Sequence, residues 1–373
     1  MALTDFTLLT DEQKTVWSRD VWKVARNTSF LTRYLGTGSN SMIQRITELK
    51  KTEKGDRAVI TLVPDSEHDG VAGDRTLKGN EAALDAYDRV ITIDQLRKAH
   101  KKKGRMADQR SIVNFRKEAR DQLGYWLGDR IDQMAFLTMS GVGFDKLTNG
   151  ADRDPEVNGT ALMDMAFAAD VSAPSGARHL RWDGTNKTLL EGDTSEIDPA
   201  DIPMWEMLIQ AKAYAKRQNI RPMKGNEGLE VFNVFMSPEA IAKLKLDDRF
   251  LSAAREAMPR AKNHALFKGA DVWYVDGLAI REFKHVYNTT GAAAPNKWGG
   301  AGDVDGNRII FAGTQALAYA DLGTPEWIEE DDDYGNQLGV AYGKIFGMHK
   351  PVFPSAVTRD DEDFGLMVID TAI

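Results

Sequence analysis

The residues best placed to do chemistry lie in Gly70 to Tyr87, GVAGDRTLKGNEAALDAY, where three glycines (Gly70, Gly73, Gly79) alternate with acids (Asp74, Glu81, Asp85). A phosphate-cradling loop needs two glycines four residues apart followed by Lys and Ser or Thr, so that backbone N–H groups and an ammonium converge on the phosphates. Gly73 and Gly79 are separated by one residue too many, and Asn80 stands where the lysine belongs. A calcium loop fails too. Asp65 to Gly70 clusters oxygen donors and ends on glycine, but the twelfth position, where a bidentate Glu is required, is Thr76. Asp154 to Gly159 fails in the same way, with Met165 at its twelfth place, and both read as turns.

Other constellations exclude more than they suggest. The six histidines (His68, His100, His179, His264, His285, His349) are far apart and form no H-x-x-x-H pair for a metal, and no G-x-S-x-G nucleophile elbow occurs. Cysteine is absent, which removes disulfides, thiolate metal sites and thiol nucleophiles at once. The acidic run Glu329, Glu330, Asp331, Asp332, Asp333 has the charge to hold Mg²⁺, but adjacent carboxylates on an extended chain point in alternating directions. It reads as a solvated or partner-facing surface. The basic run Lys101, Lys102, Lys103, Gly104, Arg105 has no interleaved aromatics on which bases would stack; a phosphate contact stays open, and the run reads as a charged surface next to the long helix. No cofactor is expected.

The elements that position these residues follow from pattern. At 373 residues, 42% hydrophobic and 28% charged, the composition is that of a globular chain with ample length for a core. No apolar run is long enough to span a membrane and the start lacks a secretion signal, so a soluble, intracellular chain is expected. The net charge of -8 argues against bulk electrostatic binding of nucleic acid. Its sign is uneven: residues 1–130 carry 24 Lys+Arg against 19 Asp+Glu, a net +5 that leaves -13 for the rest. One end of the chain could attract the other end of a neighbour.

A first helix is expected from about Thr10, with Trp17, Val21, Val24 and Ala25 on one face. Two β-rich runs, 57–63 and 88–94, bracket the glycine-bearing stretch and predict a long hairpin arm, marginal alone and therefore resting on something else. The strongest helix, from Asp108 as N-cap to Gly141, repeats apolar residues from Ile112 to Leu137 and is expected to run about 45–50 Å. Residues 144–198 read as a loop-heavy excursion and 201–219 as a helix. Then come a strand at EVFNVFMS, a helix capped by Ser237-Pro238, a hairpin turning at Asp276-Gly277, and strands at NRIIFAG, GVAYGKIFGM and FGLMVID. The class is α+β, with strands and helices segregated.

In that order, these parts resemble the major capsid proteins of tailed phages, whose shared architecture is the HK97-like fold. GDRAVITLVP entering the hairpin, GDRTLKGNEAAL at its tip, VITIDQLRKA leaving it, RKEARDQLGYWLGDRIDQMAFLTMSG, FAGTQALAYAD and DYGNQLGVAYGKIFGMHKPVF are similar to the N4-like branch over most of the chain. The resemblance implies an N-terminal arm (1–45), an extended loop or E-loop with flanking strands (46–94), a peripheral P-domain (95–219, spine helix 108–140), an axial A-domain (220–325) and a C-terminal P-domain segment (326–373). It implies hexamers and pentamers in an icosahedral shell around double-stranded DNA, a portal protein, possible separate scaffold and decoration proteins, no membrane, and a virion assembled in the host cytoplasm. Candidate subunit-contact residues are Trp17, Asp74, Leu77, Lys78, Glu81, Leu84, Lys101, Lys102, Lys103, Arg105, Glu329, Glu330 and Asp331, with the basic run or the N-terminal arm expected to meet a neighbour's acidic run. Leu77, Ala83 and Leu84 are expected to stand exposed in an isolated chain. A cellular nanocompartment shell of the same fold and a cytosolic metal-dependent enzyme are the alternatives.

Overall fold

The computed structural model describes residues 29–47, 55, 57–62, 70–79, 81, 87–110, 114–225, 228–257, 272–355 and 357–373. The helix expected from Thr10 lies outside them. The expected arm is present as Arg57–Leu62 and Tyr87–Thr92, antiparallel in a register from Arg57↔Thr92 to Leu62↔Tyr87. Its alternation is that of a half-buried ribbon: Ala58, Ile60 and Ile91 are buried while Val59 and Val90, paired across the strands, stand out. The buried face rests on Ile46, Ala318, Ala320 and Phe353, which answers what supports a two-stranded ribbon.

The long helix is Phe115–Ser140, 26 residues or about 39 Å. It starts later than expected. Asn114 is the N-cap, its side chain accepting from the Lys117 N–H, whereas Asp108 falls within a separate short helix, Arg105–Gln109. Asp108 and Asn114 are equally good caps in isolation, so residue type alone did not choose between them. The far end is as expected: Gly141 takes φ 65° and donates back to the Leu137 and Thr138 carbonyls. From Ile131 to Ser140 every residue is buried, because this half of the helix is enclosed by the body instead of lying on it.

Two sheets enclose it. The smaller contains Leu35–Gly36, Ile43–Ile46, Leu317–Asp321, Gln337–His349 and Glu326–Asp332, with Asp94–Lys101 added along Gln337–His349. The larger runs Val272–Val275, Leu278–Glu282, Glu230–Met236, Gly306–Ala312, Leu366–Ala372, His179–Asp183 and Thr188–Glu191, with Met223–Lys224 beside Glu230–Met236. One apolar cluster joins the long helix to the smaller sheet (Leu123, Leu127, Met134, Phe136, Tyr342, Phe346), and a second lies under the larger sheet. The Asp276-Gly277 turn and the Ser237 cap with Pro238 at the first helical turn are as expected.

Sequence segments and sheets do not coincide. The 144–198 excursion contributes the hairpin His179–Asp183/Thr188–Glu191 to the larger sheet. Leu366–Ala372, expected with the C-terminal segment, lies inside that sheet between Gly306–Ala312 and His179–Asp183, whereas Leu317–Asp321 leaves the 220–325 segment for the smaller sheet. All seven residues of Leu366–Ala372 are buried, and such a strand needs neighbours on both edges. The helix expected at 201–219 spans Trp205–Arg217. Asp201 does not start it; its carboxylate accepts from Gly184 N and Asp198 N at 2.7 and 2.8 Å, fastening a loop.

Candidate functional site

The arm tip is made by its glycines. Gly70, Gly73 and Gly79 all take positive φ (82°, 69° and 90°), a region that glycine enters without steric cost, and the Glu81 carboxylate accepts from Gly79 N at 2.7 Å. Asp74, Lys78 and Glu81 are exposed, and Leu77 is 67% exposed. Among the described residues Leu77 joins none of the apolar clusters. Trp17, Ala83 and Leu84 lie outside the described residues. The arm is pinned along its length by Arg89, opposite Ile60, whose guanidinium donates to the Val352 carbonyl and to Asp361, both at 2.7 Å. Nothing in the sequence marked this contact, which joins positions 263 and 272 residues apart.

The basic and acidic runs meet inside one chain. Asp94–Lys101 and Glu326–Asp332 flank the same strand, Gln337–His349, and Lys101 Nζ reaches Asp332 at 2.5 Å. That ammonium, with the Asp333 N–H, holds the Asp332 carboxyl below its ordinary range. Arg105 donates from its backbone N to Asn336 Oδ1 and from Nε to the Gly335 carbonyl, each at 3.1 Å. Lys103 is exposed and Lys102 half-buried. The acidic run is not a uniform surface either. Glu329 faces inward, where its carboxylate accepts from Arg116 and from the Trp327 indole N–H, each at 3.1 Å, while Glu330 faces out and Asp331 is half-buried. Strand alternation is the reason: Trp327 and Glu329 share the face turned to the long helix. Among the described residues no group of three His, Asp or Glu is placed to hold a metal, and no helix is long and apolar enough to cross a membrane.

Charges that hold the body together carry no mark in the sequence, where each looks like an ordinary strand or helix polar residue. Asp132 of the long helix accepts from Ser29 Oγ, Phe30 N and Leu31 N at 2.7, 2.7 and 3.1 Å, fixing the point where the N-terminal stretch meets the body. Lys350 and Asp363 form a pair at 2.9 Å with both side chains shut from solvent. His285 and Lys284 both reach Asp129, at 2.9 and 2.7 Å.

Two sheets braced by one long helix buried along its C-terminal half, with a two-stranded arm beside the smaller sheet, define an HK97-like capsid subunit. The capsid of Ralstonia phage GP4 superposes with a TM-score of 0.74 at 25% identity, covering 100% of this chain and 95% of that one. The cyanophage Pam1 capsid asymmetric unit gives 0.68 at 21% identity, covering 99% of each. In sequence, the major capsid protein of Pseudomonas phage KPP25 is 51% identical over 371 residues, 99% of this chain and 97% of its own length. A family model described as phage capsid protein matches residues 6–373, and the chain belongs to that family. The nanocompartment and metal-dependent enzyme alternatives give way to this membership.

Proposed function

We propose that this chain is the major shell protein of a tailed-phage head, its copies grouped as hexamers and pentamers in an icosahedral lattice around double-stranded DNA. The observation that carries this reading is the arm: Arg57–Leu62 and Tyr87–Thr92 hold out a glycine-built tip whose Leu77 is largely exposed. A stable contact buries on the order of 1,200–2,000 Å², and an arm lying across a neighbour adds such area without enlarging the body. The role is structural, and the virion is its location. Residues 57–92 act as the E-loop, the long helix and smaller sheet as the P-domain, and the larger sheet as the A-domain. A portal protein and separate scaffold or decoration proteins are partners of this reading, with assembly in the host cytoplasm.

The net charge of -8 suits a container, because packed DNA is released more easily from walls that do not neutralise its phosphates. Exposed Lys103 and Glu330 remain available to neighbours, whereas Lys101 and Glu329 are already paired within the subunit. Electron microscopy of the purified protein is the test, with the nucleic acid of any particles measured. Closed shells or capsomers support the reading, and monomers at every concentration tried would overturn it.

A further inference from the structure

We infer that the hairpin turn at 333–336 is a contact between copies of this chain, with Tyr334 as its anchor; the inference rests on the shell-forming role proposed above. The turn joins Glu326–Asp332 to Gln337–His349, and three successive residues, Asp333, Tyr334 and Gly335, take left-handed φ of 53°, 51° and 77°. Only the third is a glycine. A bulky side chain is uncommon in that region and persists where the surroundings hold it there.

Here the surroundings are explicit. Besides the two Arg105 donations to Asn336 and Gly335, Gln337 Nε2 donates to the Lys103 carbonyl at 3.3 Å and Asn336 Nδ2 to Asp333 Oδ2 at 3.0 Å. A segment some 230 positions earlier in the chain therefore braces the turn. The side chain so presented rests on nothing: Tyr334 is 106% exposed, and Met106, the residue after the bracing Arg105, is 67% exposed. Bracing lowers the entropy that a contact must still remove, and tyrosine is among the residues that most often anchor interfaces. Inside an isolated subunit the ring of Tyr334 buries no surface.

The occupant is a second copy. The turn region carries both signs of charge, with Asp331 and Asp333 on the acidic strand's end and exposed Lys103 and Arg105 on the brace, so the same region of a neighbour complements it. The area of one turn is far below the roughly 1,200 Å² of a stable interface, so this contact acts as one of several in a shell and not as a free-standing dimer.

Tyr334→Asn tests the anchor, because asparagine tolerates left-handed φ and leaves the turn intact while removing the ring. The expected result is a subunit melting temperature no lower than wild type and a threshold concentration for shell assembly raised about tenfold. Assembly of this variant at the wild-type threshold would overturn the inference; absence of particles from the wild-type protein would instead overturn the shell-forming role. The chain has no cysteine. Tyr334→Cys, doped at a low fraction into wild-type protein, therefore offers a single maleimide site, expected to label quickly in free subunits and at least tenfold more slowly in particles. Equal labelling rates would refute the contact, as would protection that appears only after a different protein is added.

Discussion

Arg308 and Asp370 stand directly opposite each other on adjacent antiparallel strands of the larger sheet, and the guanidinium grips the carboxylate with two bonds, Nε to Oδ1 at 2.7 Å and Nη2 to Oδ2 at 2.9 Å. Both are buried, Arg308 also donates to the Ser140 carbonyl at the end of the long helix, and His179 Nε2 lies 2.7 Å from the same carboxylate. Burial alone would raise the Asp370 carboxyl; Arg308 and His179 outweigh it and hold it low. The pair thus ties the larger sheet to the helix. Arg308→Met should destabilise the subunit by about 3–5 kcal/mol, because it strands a buried carboxylate, and Arg308→Lys should not restore the lost stability. Urea unfolding of the purified subunit measures this. A loss under about 1 kcal/mol for Arg308→Met would mean the carboxylate is not charged there.

The Asp129 carboxyl is pulled below its ordinary range by the hydrogen bond from His285, against the opposing effect of burial, with Lys284 adding to the pull. The native state therefore holds this proton less tightly than the unfolded chain, whose carboxyl titrates near pH 3.9. Its stabilisation is complete above that value and disappears as pH falls through the depressed native value. Comparing wild type with Asp129→Asn, the stability difference should be constant from pH 7 to about 5 and shrink below about pH 4. Urea midpoints across that range decide it. A difference that stays the same down to pH 2 would sink the linkage.

Gly347 lies where Gln337–His349 passes under the base of the arm, and a Cβ there would come within 2.3 Å of the Thr92 carbonyl oxygen, with the Ile91 and Ile93 methyls at 3.2 and 3.1 Å. Backbone cannot yield as a side-chain end can. Gly347→Ala should cost about 1–3 kcal/mol and shift the arm. Gly339 on the same strand has only ordinary contact at 3.4 Å, so Gly339→Ala serves as the control. Thermal unfolding of the two variants should separate them by several degrees, and equal melting temperatures would contradict the close approach.

Leu77→Ser removes an exposed side chain, so subunit stability should change by no more than about 0.5 kcal/mol. If the leucine is buried by a neighbour on assembly, its loss costs about 1.5–3 kcal/mol per contact, a tenfold or greater rise in the assembly threshold. Light scattering against protein concentration reads this directly. Shells that form at the wild-type threshold would remove the arm tip from the contact.

The arm was legible because two β-rich runs and a glycine-bearing tip carry their own local instructions; its strands lie within two residues of the expected positions. The end of the long helix was legible for the same reason, since Gly141 is a local stop. Its start was not, because Asp108 and Asn114 compete as caps on equal terms. The acidic run was half legible: alternation predicted diverging carboxylates, but not that Glu329 would find Arg116 and Trp327 on the inner face. Tyr334 gave no signal at all, because exposure at a turn follows from how distant segments brace it.

By itself, the sequence determined the lack of cysteine, the α+β class, the arm and the family resemblance, which rest on composition, local pattern or ordered motifs. Tertiary structure alone decided which strands share a sheet, where Leu366–Ala372 would lie, and which charges would be shut inside as Arg308–Asp370 and Lys350–Asp363. The physical reason is range. Hydrogen bonds within a turn or hairpin are set by neighbours in the chain, whereas desolvation and ion pairing depend on segments that are brought together only by folding.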